Sequence, residues 1–214
     1  LAENAPDQLT FESAAAALVA RLDMRGVQRC GLVGYSMGGR LALYLALRHP
    51  GRFSRTVVES ASPGLAGAAA RAERRAHDER LAARLETMPR GSAAFRAFLE
   101  EWYAPPLWAS LEAHPQLRER LIAQRLENEP ERLARALRAM GTGVQPGLWD
   151  AIPGCQHAML MVAGARDAKY RQLAERVAEL SPHVAVHEMT GCGHNVHAEN
   201  PESYTTVLRA FLES

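Results

Sequence analysis

The chain has 214 residues, of which 47% are hydrophobic and 23% charged, with a formal net charge of +1. This composition predicts one globular domain with a sizeable core, and the balanced charge argues against nucleic acid or a membrane surface as a partner. Three scattered cysteines without disulfide or zinc spacing are typical of reduced thiols in a cytoplasmic protein, and no apolar run reaches transmembrane length.

The first 60 residues alternate between helix and strand. Periodicity predicts a helix over 10–23 and a short buried strand over 30–34. A second helix over 37–49 is ended by Pro50, and β-branched residues predict a strand over 55–60. This alternation is typical of a mostly parallel α/β sheet flanked by helices.

Between residues 63 and 149 the β-rich runs vanish, and Ala, Arg, Leu and Glu dominate. Four helical segments are predicted there, over 67–87, 92–102, 115–127 and 130–140, with breaks at Pro89, Pro105, Pro106, Pro115 and Pro130. We interpret 63–149, called the inserted segment below, as a helical cap within a core formed by 1–62 and 150–214. Most of its arginines are expected on solvated helix faces.

The alternation resumes after Pro153. Strands are predicted over 159–163 and 184–189, and helices over 169–180 and 201–213. No internal repeat or low-complexity linker interrupts this pattern, so the inserted segment is expected to belong to one domain.

Gly34, Ser36 and Gly38 form a Gly-x-Ser-x-Gly motif between a predicted strand and a predicted helix. This context predicts a nucleophile elbow, in which two glycines let the chain pass close to itself and Ser36 projects above the sheet edge. The backbone N–H of Met37 is then expected to donate to an oxyanion. A chance motif in a glycine-containing turn is the alternative. A P-loop is excluded because no Gly-Lys-Ser/Thr follows, and the dinucleotide-binding pattern is excluded because the glycines lack its spacing.

A serine nucleophile or base needs an imidazole to take its proton and a carboxylate to orient that imidazole. Asp167 follows the strand 159–163, and His194 follows the last strand through a glycine-rich loop. The order Ser36, Asp167, His194, each after a strand, predicts a catalytic triad at the carboxyl edge of the sheet.

Seven other histidines compete with His194. His197 is the closest alternative in the sequence and is expected to contact the site residues rather than the substrate. His187 is expected to be half-buried in the last strand. The others are expected at the surface: His49, His77, His114, His157 and His183. Cys192 is interpreted as a loop thiol without a lowered pKa.

Several stretches resemble one family, the 2-succinyl-6-hydroxy-2,4-cyclohexadiene-1-carboxylate synthases of menaquinone biosynthesis, which have the α/β-hydrolase fold. They are VGYSMGGRLALYLA, VESASPGL, RAERRAHDERLAARL, EEWYAPPLWASL, RLENEPERLARALRAMGTGVQP, AGARDAKY and GCGHNVHAENPE. The resemblance covers nearly the whole chain, including the inserted segment, where α/β-hydrolase families diverge.

The resemblance implies that the triad eliminates pyruvate from 2-succinyl-5-enolpyruvyl-6-hydroxy-3-cyclohexene-1-carboxylate rather than hydrolysing an ester. Such a substrate carries several carboxylates, which arginine binds in a two-pronged fashion. The family positions imply a set of substrate-binding residues: Tyr35, Arg40, Arg74, Trp102, Trp108, Arg125 and Lys169. Arg74 could be confused with Arg71 or Arg75, and the two tryptophans are equally explicable as core of the inserted segment.

The chain departs from the family pattern before the elbow. The family's second oxyanion donor comes from a His-Gly loop after an early strand, and no such loop precedes Ser36 here. We therefore expect a core incomplete at its N-terminus, an exposed sheet edge, a half-built oxyanion hole and no activity from residues 1–214 alone.

Two other functions stay open at this point. A carboxylesterase or a C–C bond hydrolase would share the triad, and only the arginines of the site argue against it. A non-catalytic receptor would not need all three triad residues. No metal cluster or cofactor motif is visible, so a cofactor-independent enzyme acting on a small polycarboxylate is expected; the sequence leaves its oligomeric state open.

Overall fold

A computed structural model describes residues 9–104 and 106–214. Its centre is a four-stranded parallel sheet in the order β1-β2-β3-β4. The strands are β1 (Cys30–Tyr35), β2 (Phe53–Glu59), β3 (Ala158–Gly164) and β4 (Val184–Met189). Because the strands are parallel, their carboxyl ends lie at one edge of the sheet. This is the edge at which the sequence predicts the site. The predicted α/β architecture is confirmed.

Helices cover both faces of this sheet. The core helices are α1 (Phe11–Met24), α2 (Met37–Arg48), α7 (Ala168–Glu179), α8 (Val196–Glu199) and α9 (Pro201–Glu213). Leu43 of α2 and Val177 of α7 pack with Val58 and Met161 on one face, whereas α9 packs against Val57 and its neighbours on the other.

The strands differ in burial according to their position. Every β3 residue after Ala158 is buried, as expected of an apolar strand covered on both faces, whereas β1 is an edge strand of the described sheet and leaves Val33 44% exposed. None of the described helices combines the length and the apolar composition that crossing a bilayer would require.

The inserted segment contains the four predicted helices. They are α3 (Ala68–Glu86), α4 (Ala93–Trp102), α5 (Pro115–Leu126) and α6 (Pro130–Met140), and the 3-10 helix Pro106–Ala113 lies between α4 and α5. Phe95, Leu111 and Ile122 belong to its own apolar cluster. Arg138 of α6 bonds Glu79 and Glu86 of α3, which ties the first and last of these helices together.

The prolines of the inserted segment mark starts as well as breaks. Pro115 and Pro130 are the first residues of α5 and α6, where the missing N–H costs no helical hydrogen bond. Pro105, another predicted break, and residues 1–8, the beginning of the predicted core, lie outside the described residues.

Candidate active site

Ser36 occupies a sharp turn between β1 and α2. Its φ of 49° and ψ of −111° are rare for a residue with a side chain, as expected of a strained elbow. The Ser36 N–H donates to the carbonyl of Glu59 at 2.9 Å, and the Arg40 N–H donates to the carbonyl of Ser36 at 2.9 Å. The adjacent strand β2 and the following helix α2 therefore both fix the serine backbone.

The close passage of the chain at the elbow depends on Gly34. A Cβ added there would collide with the carbonyl of Gly38 and would lie 2.8 Å from the Cβ of Ala42. An added Cβ at Gly38 would enter open space, so the expectation that both motif glycines are needed for close passage is wrong for Gly38. The second tight position is Gly39, whose added Cβ would lie 2.8 Å from the Cβ of Ala61.

The structure brings the three predicted triad side chains together. His194 Nε2 lies 3.3 Å from Ser36 Oγ, and His194 Nδ1 lies 2.7 Å from Asp167 Oδ2. The side chains of His194 and Asp167 are 2% and 4% exposed. In this arrangement the buried carboxylate accepts from Nδ1–H, which leaves the Nε2 lone pair directed at the serine hydroxyl.

Asp167 is held in place by the helix that follows it. It is the N-cap of α7, and its Oδ1 accepts the backbone N–H of Tyr170 at 3.2 Å while its Oδ2 faces His194. Its own N–H donates to Gly164 at the end of β3. The two carboxylate oxygens therefore have separate tasks, one in helix capping and one in orienting the imidazole.

The loop that carries His194 is fixed by Glu199. The Glu199 carboxylate accepts the N–H of Gly193 at 2.8 Å and the N–H of Asn195 at 3.1 Å, which are the two residues flanking the histidine. A Cβ added at Gly193 would collide with the side chain of Ser110. The loop is thus anchored to α8 on one side and packed against the inserted segment on the other.

Three aromatic rings surround the His194 imidazole. Tyr170 lies 4.7 Å from it between ring centroids, Trp108 lies 5.1 Å away and edge-on, and Tyr35 lies 5.6 Å away. Burial raises the pKa of Tyr35 and of Tyr170, so both phenols stay neutral near pH 7. The rings exclude water from the imidazole, which strengthens its polar interactions.

Arg40 lies one helical turn after Ser36 and is 8% exposed. Its Nη1 donates to Gln145 Oε1 at 3.4 Å, and its guanidinium lies 5.7 Å from the Phe11 ring centroid. Its pKa is lowered to about 10, mainly by burial and in smaller part by the nearby charge of Arg74, while Tyr170 and Asp78 act in the opposite direction. Within 9–104 and 106–214 it forms no ion pair, so a salt bridge in this part of the chain does not explain its burial.

Arg74 and Arg125 lie in the inserted segment. Arg74 Nε pairs with the buried carboxylate of Asp78 at 2.8 Å, and Arg125 Nε donates to Tyr103 Oη at 2.6 Å. Arg74 is close enough to affect the pKa of Arg40, and Arg125 that of Tyr35. Both cations therefore belong to the same region as the triad.

The neighbours of Arg74 point to other partners. Arg71 donates to the carbonyl of Leu65, and Arg75 donates to the carbonyl of Gly143. These contacts favour Arg74 over Arg71 and Arg75 as the cation of this region.

The other predicted site residues differ in position. Met37 is the first residue of α2, where a backbone N–H has no intrahelical acceptor. Lys169 is exposed, with Nζ 5.3 Å from the Tyr170 ring centroid. Trp102 stacks on Phe98 within the apolar cluster of the inserted segment, a position that supports its interpretation as core, whereas Trp108 belongs to that cluster and also faces His194.

The structure corrects one expectation about the remaining histidines. His157 was expected at the surface but is 7% exposed; it directly precedes β3, beside the middle of β2, where its Nε2 lies 3.2 Å from Thr56 Oγ1. Burial lowers its pKa. His187 is half-buried in β4 as expected, and burial raises the pKa of the Cys192 thiol, in agreement with its interpretation as an unreactive loop residue.

Four residues beside the site escaped the sequence analysis: Glu59, Gln145, Tyr170 and Glu199. Tyr170 had the clearest signal, because it stands three residues after Asp167, where an N-cap carboxylate finds its N–H. Gln145 had none, since it reaches Arg40 from a loop 105 residues away. Among the described residues no group of three or more His, Cys, Asp or Glu side chains is arranged to hold a metal ion.

Comparisons with known proteins agree with this geometry. A profile described as the alpha/beta hydrolase family matches residues 3–206. The chain is 35% identical to 2-succinyl-6-hydroxy-2,4-cyclohexadiene-1-carboxylate synthase of Serratia proteamaculans over 95% of its own length and 75% of the relative. It is 38% identical to the synthase of the same name from Salmonella typhimurium over 85% of the chain and 67% of the relative.

A solved structure, that of MenH from S. aureus, is also similar. It superimposes with a TM-score of 0.89 at 32% identity, covering 99% of this chain and 78% of the other. The chain therefore spans about two thirds to three quarters of the length of these bacterial proteins.

Proposed function

Since this chain belongs to the alpha/beta hydrolase family, and within it to the 2-succinyl-6-hydroxy-2,4-cyclohexadiene-1-carboxylate synthases, we propose that it is a pyruvate-eliminating lyase of menaquinone biosynthesis. Its substrate is 2-succinyl-5-enolpyruvyl-6-hydroxy-3-cyclohexene-1-carboxylate. The products are pyruvate and the cyclohexadiene carboxylate for which the relatives are named.

In this proposal Ser36 and His194 act together as the base. The 3.3 Å approach of Nε2 to Oγ lets the imidazole accept the hydroxyl proton as the serine oxygen removes a ring proton from the substrate. The electron pair of the broken C–H bond forms one ring double bond, the existing ring double bond shifts by one position to give the conjugated diene, and the C–O bond to the enolpyruvyl group breaks. The departing enolpyruvate takes up the proton held by the His194 imidazolium and becomes pyruvate, which returns the base to its starting form.

Asp167 and Met37 have supporting roles. The 2.7 Å bond from Asp167 keeps the imidazole in the required tautomer and stabilises its protonated form. The N–H of Met37, at the start of α2, donates to negative charge that develops on the substrate oxygen. The three rings around His194 keep bulk water away from this proton transfer.

The observation that carries the proposal is Arg40. It is a buried guanidinium one turn from Ser36, without a carboxylate partner in the described part of the chain, and such a charge is costly unless a ligand supplies the anion. A substrate carboxylate provides that anion with two-pronged geometry. Arg74, Arg125 and Lys169 bind the other carboxylates, and Tyr35 and Trp108 line the site.

Further features belong to the same proposal. The inserted segment acts as a cap over the site, with 1–62 and 150–214 as the core. Trp102 packs within the apolar cluster of the inserted segment. The enzyme works without metal or cofactor, in the cytoplasm.

The test is pyruvate release by the full-length enzyme. The enolpyruvyl substrate is made enzymatically, and pyruvate is followed through lactate dehydrogenase and NADH, with Ser36→Ala as the control. A neutral p-nitrophenyl ester is run in parallel. We expect rapid, Ser36-dependent pyruvate release with feeble ester cleavage.

The parallel ester assay separates the alternatives. Strong ester cleavage without pyruvate above background would identify a carboxylesterase or a related hydrolase. Absence of any Ser36-dependent turnover would favour a receptor that keeps the fold without the chemistry.

A further inference from the structure

Glu59 is a fully buried carboxylate outside the predicted triad. It ends β2 in the middle of the sheet, is 0% exposed, and is paired in register with Tyr35 on β1 and Val162 on β3. An ionised carboxylate is rarely buried without strong hydrogen bonds, because its desolvation is costly. Its position at the carboxyl edge, beside the elbow, calls for an explanation.

The carboxylate of Glu59 binds the segment that follows His194. Its Oε1 accepts the backbone N–H of His197 at 3.1 Å, and His197 Nδ1 lies 2.9 Å from each of its two oxygens. Since His197 lies three residues after His194, this bond attaches the histidine-bearing segment to the central strand.

The backbone of Glu59 binds the other half of the site. Its carbonyl accepts the Ser36 N–H at 2.9 Å, so the strained elbow is fixed to the same residue. Between these two attachments stands Tyr35, whose ring lies 4.7 Å from His197 and 5.6 Å from His194. With burial as the main cause, the charge of Glu59 raises the pKa of Tyr35 and Tyr204, which places both phenols close to it.

We propose that Glu59 is a positioning residue that sets the distance between Ser36 and His194 by holding the elbow through its carbonyl and the histidine segment through its carboxylate. His197 is its partner, and the pair acts through the triad without touching the substrate. This inference rests on the proposed function, because it assigns a role to the Ser36–His194 base. It differs from an electrostatic role, in which the negative charge itself would matter.

Three variants separate position from charge. Glu59→Ala removes both attachments of the carboxylate to His197 and also its hydrogen bond with the Tyr204 side chain. His197→Ala removes the imidazole but leaves the backbone N–H. Glu59→Gln keeps the shape: its amide oxygen can accept the backbone N–H of His197, and its NH2 can donate to Nδ1 of the other tautomer. Glu202→Ala, an exposed glutamate of α9, is the matched control.

Two readouts are used on the full-length enzyme. The first is kcat and KM for pyruvate release. The second is the rate at which a fluorophosphonate labels Ser36, which depends on serine activation by His194 but not on the lyase substrate. Circular dichroism checks that each variant folds.

A displacement of about 1 Å between reacting groups costs roughly 100-fold in rate. Loss of the hydrogen bond that orients a metal-ligating histidine, a comparable contact, costs about 10- to 100-fold in activity. We therefore expect Glu59→Ala to lower kcat and the labelling rate by about 10- to 100-fold, with KM changed less than about threefold. His197→Ala should show a smaller fall of about three- to tenfold. Glu59→Gln and Glu202→Ala should stay within about threefold of the parent.

Two results would overturn the inference. One is a labelling rate in His197→Ala and Glu59→Ala equal to that of the parent. The other is an equal loss in Glu59→Gln and Glu59→Ala, which would assign the effect to charge. If Glu59→Ala does not fold, the inference is still tested by His197→Ala, whose labelling rate should fall, and by Glu59→Gln, whose labelling rate should not. Failure of the proposed function is distinguishable, because the parent would then label at Ser36 while releasing no pyruvate.

Discussion

Replacing Arg40 by methionine should weaken binding of a polycarboxylate and stabilise the fold at the same time. The guanidinium is 8% exposed, contacts Gln145 and Phe11, and lacks an ion pair among the described residues. Methionine fills a similar volume with a flexible apolar chain. The substitution therefore removes the charge while keeping most of the packing.

The expected size of the stability change follows from the pKa of Arg40. Its fall to about 10, mainly through burial, corresponds to a cost of about 3 kcal/mol for keeping the guanidinium charged in the folded protein. Below pH 10 the group is charged in both folded and unfolded protein, so the full cost applies. At pH 7 Arg40→Met should therefore raise the free energy of unfolding, by at most about 3 kcal/mol.

The expected loss of binding follows from the hydrogen bonds to a carboxylate. A hydrogen bond to a charged group contributes about 1.5–3 kcal/mol, which corresponds to a rise in KM of roughly 10- to 150-fold. A neutral ester does not use this contact, so its KM should change less than about twofold. Arg40→Lys keeps the charge but loses the two-pronged geometry. Its KM for the anionic substrate should therefore lie between that of the parent and that of Arg40→Met.

The assay combines KM for pyruvate release, KM for a neutral ester and unfolding in urea for the parent, Arg40→Met and Arg40→Lys. Equal changes in KM for the anionic and neutral substrates would refute a carboxylate-binding role. A marked loss of stability in Arg40→Met at pH 7 would refute the claim that the buried charge is uncompensated in the free protein.

Other substitutions test the rest of the site. Asp167→Asn should lower kcat by roughly 10³- to 10⁴-fold with little change in fold, because the imidazole loses its orienting carboxylate; steady-state kinetics would show it, and a fall below tenfold would contradict the triad. Gly34→Ala should destabilise by about 3 kcal/mol or more, whereas Gly38→Ala should change stability by less than about 1 kcal/mol; equal urea midpoints would contradict the elbow geometry. Glu199→Ala should lower kcat more than KM, since two N–H groups flanking His194 lose their acceptor, and an unchanged kcat would exclude this role. Dialysis against EDTA should leave turnover unchanged, and a loss restored by metal would contradict metal-free catalysis.

The fold and the proximity of Ser36, Asp167 and His194 could be predicted because their signals are local. Strand and helix patterns alternate along the chain. Ser36 follows its strand directly, and Asp167 and His194 follow theirs after short loops, so the parallel strands bring all three to one edge. The limits of the helices were also close to those observed, because proline and glycine mark them in the sequence.

The residues that complete the site depend on distant parts of the chain. Glu59 matters because strand register places it beside Tyr35 and because α8 turns back above it, and neither fact is visible in residues 53–59. His157 was misjudged for the same reason, since its burial depends on Thr56 of the adjacent strand. Gly38 was misjudged because a motif gives glycine positions without the direction in which a Cβ would point.

The 3-10 helix Pro106–Ala113 touches the reaction centre in two ways. Trp108 meets the imidazole edge-on, and Ser110 packs against Gly193 in the adjoining loop. Any movement of this short helix that widened the entrance would also uncover the imidazole and free the loop beside it. This short helix therefore bears both on the surroundings of the imidazole and on the position of the loop that carries it.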